Sequence, residues 1–78
     1  MVSAVVLVNT ESESSQDKVI ESLKNIDGVE EAHALYGVYD LIIKIKALSI
    51  DKLKDIIKQR IRQTAGVTSS LTLIIVDH

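Results

Sequence analysis

The chain has 78 residues, 46% hydrophobic and 26% charged, with a formal net charge of −2 and no cysteine, proline, tryptophan or phenylalanine. This is the composition of one small ordered domain, residues 1–78, with an aliphatic core; it excludes a disulfide framework and a thiolate metal site. The acidic balance argues against a nucleic-acid binder, which carries an excess of Lys and Arg to neutralise phosphates. No run approaches the about 18 consecutive apolar residues that would span a bilayer, and the start "MVSAVVLVNTESE" lacks the basic segment and cleavage pattern of a signal peptide, so a soluble, cytoplasmic protein is expected.

In chain order, "SAVVLVN" (3–9) is rich in β-branched valine and runs into the polar cluster "NTESESS", which reads as a strand and a loop. A helix follows. Ser14 is placed to cap it, Asp17 stands three residues on as in a capping box, and Val19, Ile20, Leu23 and Ile26 recur on one helical face. Gly28 closes the helix as a residue free to adopt positive φ. "VEEAHALY" (29–36) and "DLIIKIKA" (40–47) then read as two strands separated by a short turn, a hairpin. Ser49 caps a second helix, Leu48 and Leu53 stand in the positions of a hydrophobic staple, and the apolar face is Ile50, Leu53, Ile56, Ile57 and Ile61. After Gly66, "VTSSLTLIIV" forms a last strand ending at Val76.

The order is strand, helix, strand, strand, helix, strand. "NIDGVEEAHAL" leaves the first helix much as "QTAGVTSSLTL" leaves the second, so the chain reads as a duplicated βαβ unit. Two right-handed crossovers whose strands interleave give an α+β, ferredoxin-like sandwich: a four-stranded antiparallel sheet with both helices on one face. The other face should then be polar, yet "AVVLV" and "LTLIIV" are apolar at successive positions and therefore on both faces. A second copy is the economical cover. Two sheets packed about 10 Å apart in a two-fold dimer, a dimeric α/β barrel, would also supply the core that a domain below roughly 80 residues lacks.

The candidate chemistry centres on "YGVYDL" (36–41). A short hairpin turn accounts for Gly37 by itself. Asp40 has two readings: it caps the turn by accepting backbone amides, or its carboxylate faces a cleft and takes a ligand's ammonium group in a charge-assisted bond, with Tyr36 and Tyr39 as walls. The hydroxyls of Thr68, Ser69, Ser70 and Thr72 open the last strand, either as a polar strand end or as small donors and acceptors for a ligand carboxylate. Lys52, Lys54, Lys58, Arg60 and Arg62 crowd the second helix, but Asp51 and Asp55 offset them and no aromatics interleave to stack bases; they read as a solvated face. His33 lacks a cysteine or serine partner, it lies too far from His78 to suggest a ligand pair, and three separate glycines make no phosphate loop. No catalytic residue, metal or cofactor is assigned.

With the hairpin, the Gly-Val re-entries and the hydroxyl-rich strand in view, the chain resembles the effector (RAM) domain of the Lrp/AsnC family. The resemblance covers almost the whole chain. It rests on "LVNT", on "IDGVEEAHALYGVYDLIIKIKA", whose "GVYD" is similar to the family's Gly-x-Tyr-Asp signature, and on "GVTSSLTLIIV". It implies a domain that dimerises through its sheets and assembles into octamers or similar rings, with amino-acid effectors bound between dimers. The site it implies uses the backbone of Tyr36, Gly37 and Val38, with Tyr39 beside them. Asp40 would receive an amine, and Thr68, Ser69, Ser70 and Thr72 would complete the pocket. Family members that control transcription carry a helix-turn-helix domain before this one, whereas this chain opens on the first effector-domain strand. It therefore resembles the stand-alone form: an amino-acid sensor that does not read DNA itself and that partners its own copies or a full-length regulator. Two rivals are a monooxygenase-like dimeric barrel enzyme, with His33 as base in a roomy polar cavity between helices and sheet, and a purely structural assembly domain.

Overall fold

A computed structural model describes residues 1–76; His78 and the end of the expected 1–78 domain lie outside the described residues. The elements are β1 (Val2–Thr10), α1 (Gln16–Lys24), β2 (Val29–Ala34), β3 (Leu41–Ala47), α2 (Ile50–Ile56) and β4 (Val67–Ile75). A 3-10 turn (Glu13–Ser15) leads into α1, and a π-helical stretch (Ile57–Ile61) prolongs α2. The strands form one antiparallel sheet in the order β2-β3-β1-β4, the interleaved order expected of two βαβ units.

Strand alternation decides which side chains meet the helices. Ala4, Val6 and Val8 of β1 and Leu41, Ile43, Ile45 and Ala47 of β3 point into the helix layer and are buried. They pack against Val19, Leu23 and Ile26 from the first helix and its exit, and against Leu53, Ile57 and Ile61 from the second. Every buried residue among those described is apolar. Between the helices and the central strands β1 and β3 the space is filled by aliphatic side chains, and no polar residue among those described is buried there, which is not the roomy polar interior that a barrel enzyme would need.

The two halves repeat in detail. Leu23 and Ile61 accept the amides of Ile26 and Thr64, which in turn accept those of Val29 and Val67, at 3.1–3.2 Å. Gly28 and Gly66 follow each helix at φ +98° and +96°, and their carbonyls accept from Lys46 and Glu11 at 2.8 and 3.0 Å. Both positions need glycine twice over. Their φ is left-handed, and a Cβ on Gly66 would lie 2.7 Å from Val19 Cγ2, while one on Gly28 would lie 3.0 Å from Ile56 Cδ1 and from the Lys46 carbonyl.

Three local expectations are corrected. The first helix is entered at Ser15, not Ser14, and neither side chain caps it: Ser15 Oγ donates to the Ser12 carbonyl at 2.8 Å, because the preceding 3-10 turn holds that hydroxyl. Asp17 completes no capping box. At the second helix Ser49 does cap, accepting from the Lys52 amide at 3.2 Å, but Leu48 is 78% exposed and makes no staple with the buried Leu53. The last strand ends at Ile75, one residue before Val76.

The π-helical stretch follows from spacing. Leu53, Ile57 and Ile61 recur every four residues, and each such step in an α-helix overshoots a full turn by about 40°. Widening the last turns, marked by the Arg62 amide donating to the Ile57 carbonyl at 2.9 Å, keeps Ile57 and Ile61 both on the sheet.

The face of the sheet away from the helices is half apolar and half charged. Val5 and Leu7 stand beside Leu73 and Leu71 of β4, Ile42 pairs with Leu7, and Ile75 lies beyond. Leu71, Leu73 and Ile75 are 44%, 51% and 41% exposed. On the β2–β3 side the same face carries Lys44, Lys46, Glu30, Glu31 and His33, with Lys46 paired to Glu30 at 3.3 Å. The apolar half is the surface that the alternation of "AVVLV" and "LTLIIV" demands.

Candidate functional site

The hairpin connection is six residues, 35–40, rather than a tight turn, and it is closed by the Leu35 amide donating to the Asp40 carbonyl at 2.7 Å. Asp40 is the hub of this end of the molecule. Its amide donates to the Val8 carbonyl at 3.0 Å, and its carbonyl also accepts from Gln16 Nε2 at 2.6 Å. Its carboxylate Oδ2 accepts from the Thr10 amide at 2.7 Å and from Thr10 Oγ1 at 3.2 Å. The carboxylate therefore bonds a backbone amide, as the turn-capping reading required, but across the sheet on β1 rather than within its own turn. Oδ2 is taken; among the described residues no donor engages Oδ1, which leaves one acceptor for something else.

Gly37 is the second correction at this loop. It does not adopt positive φ, and a Cβ built on it meets nothing within 4 Å, so within this chain neither backbone nor packing requires glycine there. Tyr36 is fully exposed and Val38 is 88% exposed. Tyr39 is half-buried. A cavity of about 300 Å³ lies under the loop, lined by Gln16, Leu35, Tyr36, Gly37 and Asp40. Tyr36 is thus a wall of that cavity; Tyr39 and Val38 are not among its lining residues.

The hydroxyl-rich segment divides. A register shift beside Asn9 and Thr10 puts Ser69 opposite Asn9 and Val67 opposite Thr10. Asn9 Nδ2 donates to Ser69 Oγ at 3.1 Å, and Thr68 Oγ1 donates to the Asn9 carbonyl at 3.2 Å. Thr68 and Ser69 therefore reach the hairpin end through β1: Asn9 binds them, and the next residue, Thr10, binds Asp40. Ser70 pairs with Val8 at the same end and points to the helix side. Thr72, opposite Val6, lies further along and lines a different cavity of about 390 Å³ between α2 and β4, with Leu53, Lys54, Ile57, Lys58, Arg62 and Ile74. Thr72 is thus not brought together with Asp40 within one chain, because two residues along a strand carry it about 7 Å away from the hairpin end.

Thr10, Gln16 and Asn9 complete the geometry and were not singled out from the residue pattern. Their signal was faint: an Asn-Thr pair ending an apolar strand, and a glutamine at the first turn of a helix. His33 lies on the open face with a side chain 63% exposed, 3.4 Å from Glu31, and has the surroundings of a surface residue rather than a buried base. No cluster of His, Cys, Asp and Glu among the described residues could hold a metal ion. No helix among them is long and apolar enough to cross a membrane.

The family model for the Lrp/AsnC ligand binding domain matches residues 3–78. The chain belongs to this family. Among its relatives is an uncharacterised helix-turn-helix-type transcriptional regulator of Pyrococcus furiosus, 29% identical over 73 residues that cover 91% of this chain and 49% of that protein. The chain spans about half the length of the regulators it matches. It is also 34% identical over 74 residues, 95% of the chain, to a homocitrate synthase of Saccharolobus islandicus, of which the match covers 16%. The crystal structure of a hypothetical protein from Pyrococcus horikoshii superposes with a TM-score of 0.90 at 31% identity, covering 100% of this chain and 93% of that one. As an Lrp/AsnC ligand-binding domain the chain is an effector-binding module of regulatory type, with the four-stranded sheet and two helices of its relatives.

Proposed function

We propose that this Lrp/AsnC domain senses a small amino acid or a close relative of one, at the hairpin end, in an assembly of several copies. The observation that carries this reading is the state of the 35–40 loop. Asp40 is locked in place by Thr10, Gln16 and Val8, yet keeps one carboxylate oxygen for an incoming donor, while Tyr36, Gly37 and Val38 stand exposed to solvent. A cavity of about 300 Å³ is at the small end of ligand sites and suits a molecule of amino-acid size. An α-ammonium bonded to Asp40 makes a charge-assisted contact, and the exposed loop backbone together with the hydroxyls of Ser69 and Ser70 supplies donors for a carboxylate, the O–H of Thr68 being engaged by the Asn9 carbonyl.

The open loop also says why one copy is not enough. A cleft lined by five residues and walled by a fully exposed tyrosine holds a small polar molecule weakly, and a second copy laid over the loop would close it. Pairing through the apolar half of the open sheet face supplies the dimer, and dimers meeting at the hairpin ends supply the lid and bring Thr72 of another copy within reach. Binding that favours the closed assembly shifts its population, which is how the effector's presence would pass to a full-length regulator or to an enzyme. The net charge of −2 and the absence of interleaved aromatics favour a module that senses rather than reads DNA, and the aliphatic filling between helices and sheet favours binding over catalysis. Thermal-shift screening with the common amino acids tests the reading: at least one stabilises the wild-type chain and fails to stabilise Asp40→Asn. Equal stabilisation of both would remove Asp40 from the site.

A further inference from the structure

Gln16 is the first residue of α1, and its side chain reaches across to the hairpin loop, where Nε2 donates to the Asp40 carbonyl at 2.6 Å. That bond fixes which way round the side-chain amide sits, because only its nitrogen can donate to a carbonyl. It uses one hydrogen of two. The second Nε2 hydrogen and the carbonyl Oε1 make no hydrogen bond among the described residues. Gln16 also lines the cavity of about 300 Å³ under the loop, together with Leu35, Tyr36, Gly37 and Asp40. These contacts are internal to one chain and hold whatever covers the loop.

The five lining residues carry one carboxylate and no cationic side chain. Asp40 Oδ1 answers one ammonium group, and a second positive charge on the ligand would find no second carboxylate among them. Gln16 adds something different: one donor and one acceptor on the same planar amide. The group that complements such an edge is another carboxamide, whose N–H donates to Oε1 and whose carbonyl accepts from Nε2. A side-chain carboxylate would set an oxygen against Oε1, a side-chain ammonium would leave the Nε2 hydrogen unanswered, and a hydrocarbon would leave both groups unpaired.

Taking the hairpin end as the effector site, a reading on which this rests, we propose that Gln16 determines the class of effector, and that the effector is an amino acid whose side chain ends in a carboxamide. Asp40 takes the α-ammonium, the backbone of Tyr36, Gly37 and Val38 takes the α-carboxylate, and the Gln16 amide pairs with the side-chain amide. Leu35 supplies an apolar wall for the methylene groups between them. Gln16 thus has two duties. Its bond to the Asp40 carbonyl holds the loop for any ligand, and its remaining donor and acceptor discriminate among ligands.

The test is calorimetric titration of the intact chain with glutamine and asparagine, with methionine and leucine as uncharged side chains of similar size, and with glutamate and lysine. The wild-type chain binds at least one carboxamide tenfold or more tightly than the uncharged analogue of similar size, about 1.4 kcal/mol. Gln16→Met keeps the length of the side chain and removes the amide edge. Loosening of the loop lowers its affinity for every ligand alike, whereas loss of the amide pair removes the preference, so the ratio of affinities decides the matter. That ratio falls by about tenfold in Gln16→Met. A wild-type ratio retained in Gln16→Met, or a wild-type chain without preference for a carboxamide, would overturn the proposal. Asp40→Asn separates this failure from failure of the site itself: ligands that bind this variant as tightly as wild type, or that bind neither, remove the hairpin end as the effector site and the proposal with it, whereas binding that needs Asp40 and ignores Gln16 removes Gln16 alone.

Discussion

Asp40 carries two duties in this account, and two substitutions separate them. Asp40→Ala removes the acceptor of the Thr10 amide and hydroxyl, at 2.7 and 3.2 Å in a part-buried setting. A hydrogen bond to a charged group contributes about 1.5–3 kcal/mol, and the amide left without a partner cannot be fully rehydrated where it lies. The expected loss is about 2 kcal/mol, which in a domain of this size lowers Tm by about 8–16 °C. Asp40→Asn keeps a carbonyl oxygen that accepts from Thr10 and loses only the charge-assisted part, about 1 kcal/mol, or a fall of about 4–8 °C. For an ammonium-bearing effector the order reverses in meaning: Asn is nearly as folded as wild type but presents no charge, so affinity falls by tenfold or more, about 1.4 kcal/mol or greater. Calorimetric titration and thermal melts at equal protein concentration read the two effects separately. Wild-type affinity in Asp40→Asn would refute the ammonium-receiving role, and a wild-type melting temperature in Asp40→Ala would refute the Thr10 bond.

Further consequences follow from the glycines, the open face and Gln16. Gly66→Ala combines a left-handed φ of +96° with a Cβ 2.7 Å from Val19 Cγ2, and denaturant unfolding should show a loss of about 2–4 kcal/mol. Gly37→Ala meets neither obstacle and should stay within about 0.5 kcal/mol of wild type in the same assay, so any larger effect must come from ligand binding or assembly. Leu73→Asp, at a position 51% exposed in one chain, should leave far-UV circular dichroism intact while sedimentation shows dissociation to single chains; an unchanged oligomer would move the interface off the open face. Gln16→Ala removes the donor to the Asp40 carbonyl and should speed amide exchange of the 35–40 loop with little change in global stability; unaltered exchange would remove Gln16 as its support.

What the sequence disclosed follows the strength of each local signal. Continuous or alternating apolar runs bounded by polar and glycine residues placed β1, β3 and β4 within a residue or so of their ends, and the Gly-Val re-entries located both helix exits because only a left-handed glycine fits there. Apolar residues on both strand faces announced a sheet face that the helices leave uncovered. Signals that depend on which of several similar groups wins were less legible. Three serines compete at the start of the first helix, and a 3-10 turn decides among them; Leu48 satisfies the staple spacing but the chain direction at Ser49 turns it outward. At the hairpin, glycine between two strands suggested a tight turn, whereas the loop is six residues long and its geometry is set by Asp40 bonding back to β1. That bond, and the division of Thr68 and Ser69 from Thr72, rest on contacts between residues 30 to 60 positions apart, which no local pattern encodes. The same holds for the cationic residues of the second helix: as a list they describe a solvated face, and only the placement of α2 in the fold sorts Lys54, Lys58 and Arg62 into a groove with β4 and Lys52 and Arg60 into another beside Gly28 and Lys46.

Assembly and effector response are joined at one loop in this account, so one measurement addresses both. Multi-angle light scattering on the purified chain, run with and without the common amino acids, should give a particle of at least two chains that changes mass or dispersity with one or a few of them. A single-chain particle that answers to none of them would contradict it.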